Sequence, residues 1–352
     1  MKRLAASLGL ALFALASTPA GAADPVMRAA PAVMMTRGPQ ALLQLSDEEL
    51  LGQLDADPES LGSMSMGRPN LGALIGGVQM TNTERYTVEA PAAAWGTSET
   101  VAYLKLAIDR VHEQFADTPP LFIGHLSRQE GGRLSPHKSH QSGRDVDISY
   151  YYVPKKHQWY QRAHARTLDL PRSWAFVRAL VTSTDVQWIF INSSVQKLLK
   201  NHALSIGDNA EWLDTVFQYR SRNPNPIVRH ARGHDTHIHI RFYNPVAQEL
   251  ARRLHKPLVK QGFVTKRFLR YRARKGDLLS RLARRFGTSV RTLQRVNRLR
   301  GSRIRAGRVY LIPRKGSVPP PPAVAIPARR LPPVPASGGQ NAFASPANAP
   351  QR

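Results

Sequence analysis

The stretch Ser135-Pro136-His137-Lys138-Ser139-His140-Gln141-Ser142-Gly143-Arg144-Asp145-Val146-Asp147-Ile148 constrains this chain more than any other. It sets a histidine, a glycine and a carboxylate at fixed offsets just before the apolar run Ser149-Tyr150-Tyr151-Tyr152-Val153. Asp145-Val146-Asp147-Ile148 alternates polar and apolar, which predicts a strand with Asp145 and Asp147 on one face. Gly143 lets the preceding loop turn tightly. Zinc is held by neutral imidazole nitrogen and carboxylate oxygen, and a catalytic site takes three protein ligands and keeps a fourth position for water. His140 and Asp147 offer two of the three. The third is sought in Gly233-His234-Asp235-Thr236-His237-Ile238-His239-Ile240-Arg241-Phe242-Tyr243. There His237 and His239 stand two apart in a strand-like run, so both imidazoles face one side and Ile238 and Ile240 the other. On such a face one imidazole can bind metal while its neighbour does acid/base work.

The 352 residues suffice for two domains plus tails, and they include no cysteine, so any metal site must rest on His and carboxylate. Lys2 and Arg3 precede the apolar run Leu4 to Ala16, and Ala20-Gly21-Ala22 supplies a small-x-small cleavage site, which predicts a signal peptide over 1–22. Export is therefore expected, with no stable membrane insertion after cleavage, because no other run approaches the roughly 20 apolar residues of a spanning helix. Residues 23–60 read as a flexible lead-in whose capping box at Ser46 and Glu49 opens a short helix. Leu61 to Met80 is glycine-rich with no clear period. Thr97-Ser98-Glu99 caps a helix to about Phe115 with Val101, Leu104, Ala107, Ile108 and Val111 on one face. Strands over 120–127 and 186–191 interleave with helices over 173–183, 194–202, 210–219 and 245–254. The pattern predicts an α+β domain over 61–255, built on a small antiparallel sheet.

The string Pro136 to Asp147, with a later His-x-His, resembles the penicillin-insensitive murein endopeptidases, a branch of the D-Ala-D-Ala and lysostaphin-type metallopeptidases, over roughly Leu61 to Tyr243. That resemblance implies zinc at His140, Asp147 and His239, and a catalytic base position at His237. It also puts His137 where an additional metal is in reach, although no Asp-x-x-His pair lies between Val153 and Ser173 to complete such a site. The implied activity is hydrolysis of peptidoglycan cross-links, D-alanyl-meso-diaminopimelate foremost, in the periplasm. A D,D-carboxypeptidase or amidase shares the same zinc chemistry, and a non-catalytic wall-binding protein would need a broken ligand set that is not visible. Asp145 and Asp235 are candidates to hold the ligand rings, and His234 to touch substrate. His125, His157, His164, His202 and His230 are read as structural. No GxSxG elbow offers a serine hydrolase.

From Lys256 to Lys315 there are twenty Lys and Arg against Asp277 alone, nineteen of the chain's net +26. After a basic linker over 256–267, residues 268–314 read as strand, Gly276-Asp277 turn and helix N-cap, helix to Gly287, second helix from Ser289, and closing strand Val309 to Pro313. This βααβ order resembles a LysM module, which implies binding of N-acetylglucosamine-containing glycan. Its arginines depart from typical modules. They suit anionic wall polymer, whereas export argues against nucleic acid. The tail over 315–352, with ten prolines from Arg314 onward, is expected to be disordered, with Pro319 to Pro322 locally extended.

Overall fold

Alternation in the motif strands decides the architecture. The computed structural model describes residues 40–153, 158–262, 267–314 and 318–334. The strands are β1 (Met64–Arg68), β2 (Leu71–Ile75), β3 (Val78–Gln79), β4 (Tyr86–Val88), β5 (Trp95–Gly96), β6 (Leu121–Ile123), β7 (Asp145–Ile148), β8 (Val186–Ile191), β9 (Val228–His230), β10 (Ile238–Phe242), β11 (Arg267–Arg272) and β12 (Val309–Arg314). The helices are α1 (Ala41–Gln44), α2 (Asp47–Ala56), α3 (Ser98–Gln114), α4 (Leu170–Ser183), α5 (Ser193–Ser205), α6 (Ala210–Val216), α7 (Pro245–Arg253), α8 (His255–Lys260), α9 (Leu279–Arg285) and α10 (Val290–Asn297). The signal peptide, the start of the lead-in, His157 and residues 335–352 lie outside the described residues.

The main sheet has the order β4-β6-β7-β10-β8-β9. Its centre, β6 to β8, is antiparallel as expected, while the outer pairs β4–β6 and β8–β9 are parallel. Val146 and Ile148 of β7, with Ile238 and Ile240 of β10, enter one core with Val101, Leu104, Ile108, Trp174 and Phe176 from α3 and α4. The opposite face of the same two strands is left for Asp145, Asp147, His239 and Arg241, so burial on one side presents the polar residues on the other.

Several elements escaped the sequence pattern, among them the outer strands β4 and β9 and the hairpin of β1 and β2. The glycine-rich stretch after Leu61 is a hairpin, β1 paired with β2 from Met64↔Ile75 to Arg68↔Leu71. Gly67 and Gly72 depress its strand propensity. A second core unites Met64 and Met66 of this hairpin with Leu50 and Leu54 of α2, Leu250 of α7, Leu258 of α8 and Val318. The folded body thus begins before residue 61 and reaches beyond 255. Glu99 links the two cores: its buried carboxylate accepts the Val246 and Ala247 N–H groups, two of the otherwise unpaired donors at the start of α7.

The basic module is βααβ, with β11 and β12 antiparallel and Leu279, Leu282, Leu293 and Ile312 as its core. Asn297 secures it by donating to the Leu293 and Leu311 carbonyls and accepting from Leu311 N–H. One detail corrects the sequence reading. Asp277 does not cap α9, whose N-cap Leu278 has no side-chain bond; its carboxylate instead accepts from Arg274 N–H and the Tyr271 hydroxyl, closing the turn.

Residues 318–334 have neither helix nor strand, as the prolines require, yet they are held against the folded body. Val318 is 2% exposed, and Arg329 pairs with Asp185. This part of the tail departs from the disorder expected over 315–352 because it carries its own anchors: an aliphatic side chain for the second core and two guanidinium groups. Among the described residues, no helix is long and apolar enough to cross a membrane.

Candidate metal centre

The loop between β6 and β7 delivers His140. Its backbone sits at φ 63, a left-handed conformation uncommon for a residue with a side chain, and its N–H donates to Asp145 Oδ2 at 3.1 Å. Gly143, at φ +73, makes the reversal that leads into β7. His140 Nδ1 lies 2.7 Å from the Leu126 carbonyl, which only accepts, so Nδ1 carries the hydrogen and Nε2 is the bare nitrogen. On β10, directly opposite Asp147 in register, His239 Nε2 faces Asp145 Oδ1 at 3.3 Å, which leaves Nδ1 bare. Asp145 is in turn clamped by Arg241 through Nε at 2.6 Å and Nη2 at 3.2 Å. Burial alone would raise the Asp145 carboxyl, but Arg241 and then His239 hold it well below the usual carboxylate range.

Three electron-rich atoms therefore converge. His140 Nε2 is 3.3 Å from Asp147 Oδ1 and 3.3 Å from His239 Nδ1, and His239 Nδ1 is 2.9 Å from Asp147 Oδ1. A tetrahedral zinc with donors at about 2.0–2.1 Å needs donor–donor edges of about 3.3 Å, so the triangle has the size of one zinc face. Asp147 Oδ1 is buried without a well-formed hydrogen bond, although the two imidazoles stand against it. Burial works against charge on His239, yet Asp145 and Asp147 outweigh it and push its pKa up to about 9, so the two carboxylates favour positive charge here and a metal takes Nδ1 in exchange for a proton. The residues present fit a divalent metal.

His237 stands beside this triangle with Nε2 3.9 Å from Asp147 Oδ1 and Nδ1 3.1 Å from Thr236 Oγ1. Burial lowers it to about 4, and the Tyr160 ring stacks on it at 5.3 Å and 15°. His137 Nδ1 faces the other oxygen, Asp147 Oδ2, at 3.3 Å, outside the His140–His239 triangle. His125 joins it: His125, His137 and Asp147 form a second group of potential ligands that shares only Asp147 with the first. The His234 ring packs 4.7 Å from His237 and lines the same cleft. Asp235 does not hold a ligand ring; it pairs with Arg162 at 2.8 Å.

The centre opens into a cleft of about 1140 Å³ whose walls include Arg68, Trp159, Tyr160, Trp188 and Arg232. Sequence reasoning missed His125, Tyr160 and Arg241, which reach the site from separate segments with no shared spacing. Arg241 alone carried a signal, since it stands two after His239 on the same strand face.

Fold and site together define a mixed α/β protein with a candidate His-Asp-His metal centre and an appended βααβ module. The chain belongs to the penicillin-insensitive murein endopeptidase family: residues 65–263 match that family's model, and residues 271–313 match the LysM domain. Proteins named penicillin-insensitive murein endopeptidase are similar to it. One from Yersinia pestis bv. Antiqua is 29% identical over 153 residues, covering 39% of this chain and 49% of that protein. One from Salmonella arizonae is 28% identical over 164 residues, covering 41% and 54%, and one from Pectobacterium atrosepticum is 24% identical over 236 residues, covering 61% and 75%. The chain thus spans about half the length of the first of these relatives.

Proposed function

We propose that this protein is an exported, zinc-dependent murein endopeptidase that hydrolyses peptide cross-links of peptidoglycan, D-alanyl-meso-diaminopimelate foremost, while its LysM module holds N-acetylglucosamine-containing glycan. The observation that carries the reading is the triangle of His140 Nε2, Asp147 Oδ1 and His239 Nδ1, sized for one zinc face. A bound zinc supplies Lewis acidity and an acidic water. The chain's own residues do the rest. Burial keeps His237 neutral, so its Nε2 accepts a proton from the attacking water and returns it to the leaving amine. Leu126 and Asp145 hold the two ligand rings in their tautomers. Trp159, Tyr160 and Trp188 shape the walls around an extended peptide, and Arg68 and Arg232 bring positive charge to its carboxylates.

Elemental analysis and muropeptide digestion test this together. The zinc-loaded chain is expected to hold about one tightly bound equivalent, and to convert cross-linked dimers to monomers in a way that a strong chelator stops and penicillin does not. His140→Ala and His239→Ala are expected to lose the metal. Full zinc retention by either variant overturns the ligand set, and release of a terminal D-alanine alone favours the carboxypeptidase reading.

A further inference from the structure

Residues 318–330 run over the folded body past the metal cleft, which Pro322 helps to line, and the run is anchored at both its ends. Val318 is buried in the second core, where a Cβ on Gly67 would lie 2.2 Å from Val318 Cγ1; the hairpin tip leaves room for this side chain by having none of its own. His255 Nε2–H donates to the Val318 carbonyl at 2.6 Å. Pro321 is buried, and Pro322 forms part of the metal cleft's wall beside Arg68 and Asn70. Further along, Arg329 Nε and Nη2 donate to Asp185 Oδ1 at 3.2 and 3.1 Å. Trp212 Nε1–H donates to the Arg330 carbonyl at 2.8 Å, and the Arg330 guanidinium reaches the carbonyls of Thr215 and Asn225.

Ile326 to Arg330 form one wall of a groove that leaves about 390 Å³ open, and its other walls include Asp185, Asn225, Arg229 and Tyr243 together with Gln187 and Trp188. Gln187 and Trp188 also line the metal cleft, so the two hollows adjoin across these residues of β8. Asp185 is 3% exposed and also accepts the Tyr103 hydroxyl at 2.7 Å. A carboxylate this deeply set favours a cationic partner in its groove.

We propose that this groove is a binding site for an extended peptide carrying a cationic side chain, and that the strap formed by the chain's own residues 318–330 partly occupies it through Ile326 to Arg330, as an intramolecular competitor of wall peptide. The inference rests on the reading of the metal cleft as the substrate site. A cross-linked stem peptide long enough to pass Trp188 enters the path that the strap occupies, and an amino group on a diamino acid matches the charge that Arg329 now supplies. A tethered segment faces its groove at an effective concentration in the millimolar range, so it excludes soluble peptide that binds more weakly than that. Displacement is then left to substrate that is itself concentrated, as it is when the LysM module holds the enzyme on glycan.

The test uses the full chain in two forms. One carries Arg329→Glu with Arg330→Glu, which sets like charge against Asp185. The other has a site for a specific protease in place of Ala323-Val324-Ala325 and is cut after folding, so no anchor is lost during synthesis. Calorimetric affinity for a soluble cross-linked muropeptide dimer and its rate of hydrolysis are read on both. Each form is expected to bind the dimer about 5- to 50-fold more tightly than the intact chain. A synthetic peptide of residues 318–334 is expected to bring the affinity of the double variant back towards the intact value, whereas the same peptide with glutamate at 329 and 330 is not. Unchanged or weaker affinity in both forms overturns the proposal. If the dimer is bound more tightly on strap release but never hydrolysed, the endopeptidase reading fails and the strap proposal stands; hydrolysis with no affinity difference gives the reverse.

Discussion

His237 and His239 leave the same strand face two residues apart, yet their environments give them opposite work. His239 lies between two carboxylates that favour a positive charge, while His237 meets a hydroxyl, a tyrosine ring and, at the longer distance of 3.9 Å, Asp147 Oδ1, and burial keeps it neutral. His237→Ala is therefore expected to retain the metal and lose turnover by about 10²–10⁴-fold, the usual worth of a positioned proton-transfer group. Metal content and single-turnover rate on the same preparation check it; wild-type turnover in a metal-replete variant contradicts the role. The four residues at fixed spacing, His140, Asp147, His237 and His239, were legible in sequence because each pair sits on one short segment whose geometry is set by strand alternation. What holds them was not. The Leu126 carbonyl that fixes the His140 tautomer is a backbone group, and Arg241, although its spacing puts it on the face of His239, gains Asp145 as a partner only when β7 and β10 are paired.

Among the elements, α3 was readable from its cap and its 3.6-residue apolar stripe, but its first turn hid a second job. Glu99 faces inward and receives the first amides of α7, more than 140 residues away in the chain. Burial raises its pKa from the ordinary 4.5 to about 7, more than the two amides lower it. The folded value lies above the unfolded one, so the native state binds the proton more tightly. This group's contribution to stability is full below about pH 4.5 and is lost as pH rises towards 7. Glu99→Gln has no such titration. The wild-type chain is thus expected to lose up to about 3 kcal/mol relative to Glu99→Gln between pH 4.5 and 8. Denaturant unfolding of both proteins across that range checks it, and parallel stability curves contradict it. The β1–β2 hairpin illustrates the opposite case. Its glycines blur the strand signal, and its burial depends on α2, α7 and Val318, contacts between segments that no local pattern encodes.

At the scale of the whole molecule, the LysM module was legible because its core, turn and caps are local, and the strap was not because its order comes entirely from distant partners. The module's excess charge follows the same division. Its glycan-facing contacts are expected to be hydrogen bonds and apolar surface, indifferent to salt, whereas Arg281, Arg284, Arg291 and Arg295 stand exposed on the faces of α9 and α10. Charges in that setting attract anionic polymer over a Debye length of about 10 Å at 0.1 M salt and about 3 Å at 1 M. Binding of the full chain to intact sacculi is therefore expected to fall in two stages, a salt-sensitive part lost by about 1 M and a residual part that persists. Changing the four arginines to glutamine is expected to remove most of the salt-sensitive part and leave the residual affinity in place, because none of them contributes to the module's core. Arg285 is kept in this variant, since it packs on Phe286 at 5.2 Å and its loss would mix packing with charge. Sedimentation with sacculi across a salt series reads both stages. If wild-type binding vanishes at 1 M, the module is held to the wall by charge alone; if the four-arginine variant keeps the wild-type salt slope, the attraction comes from the arginines that line the metal cleft instead.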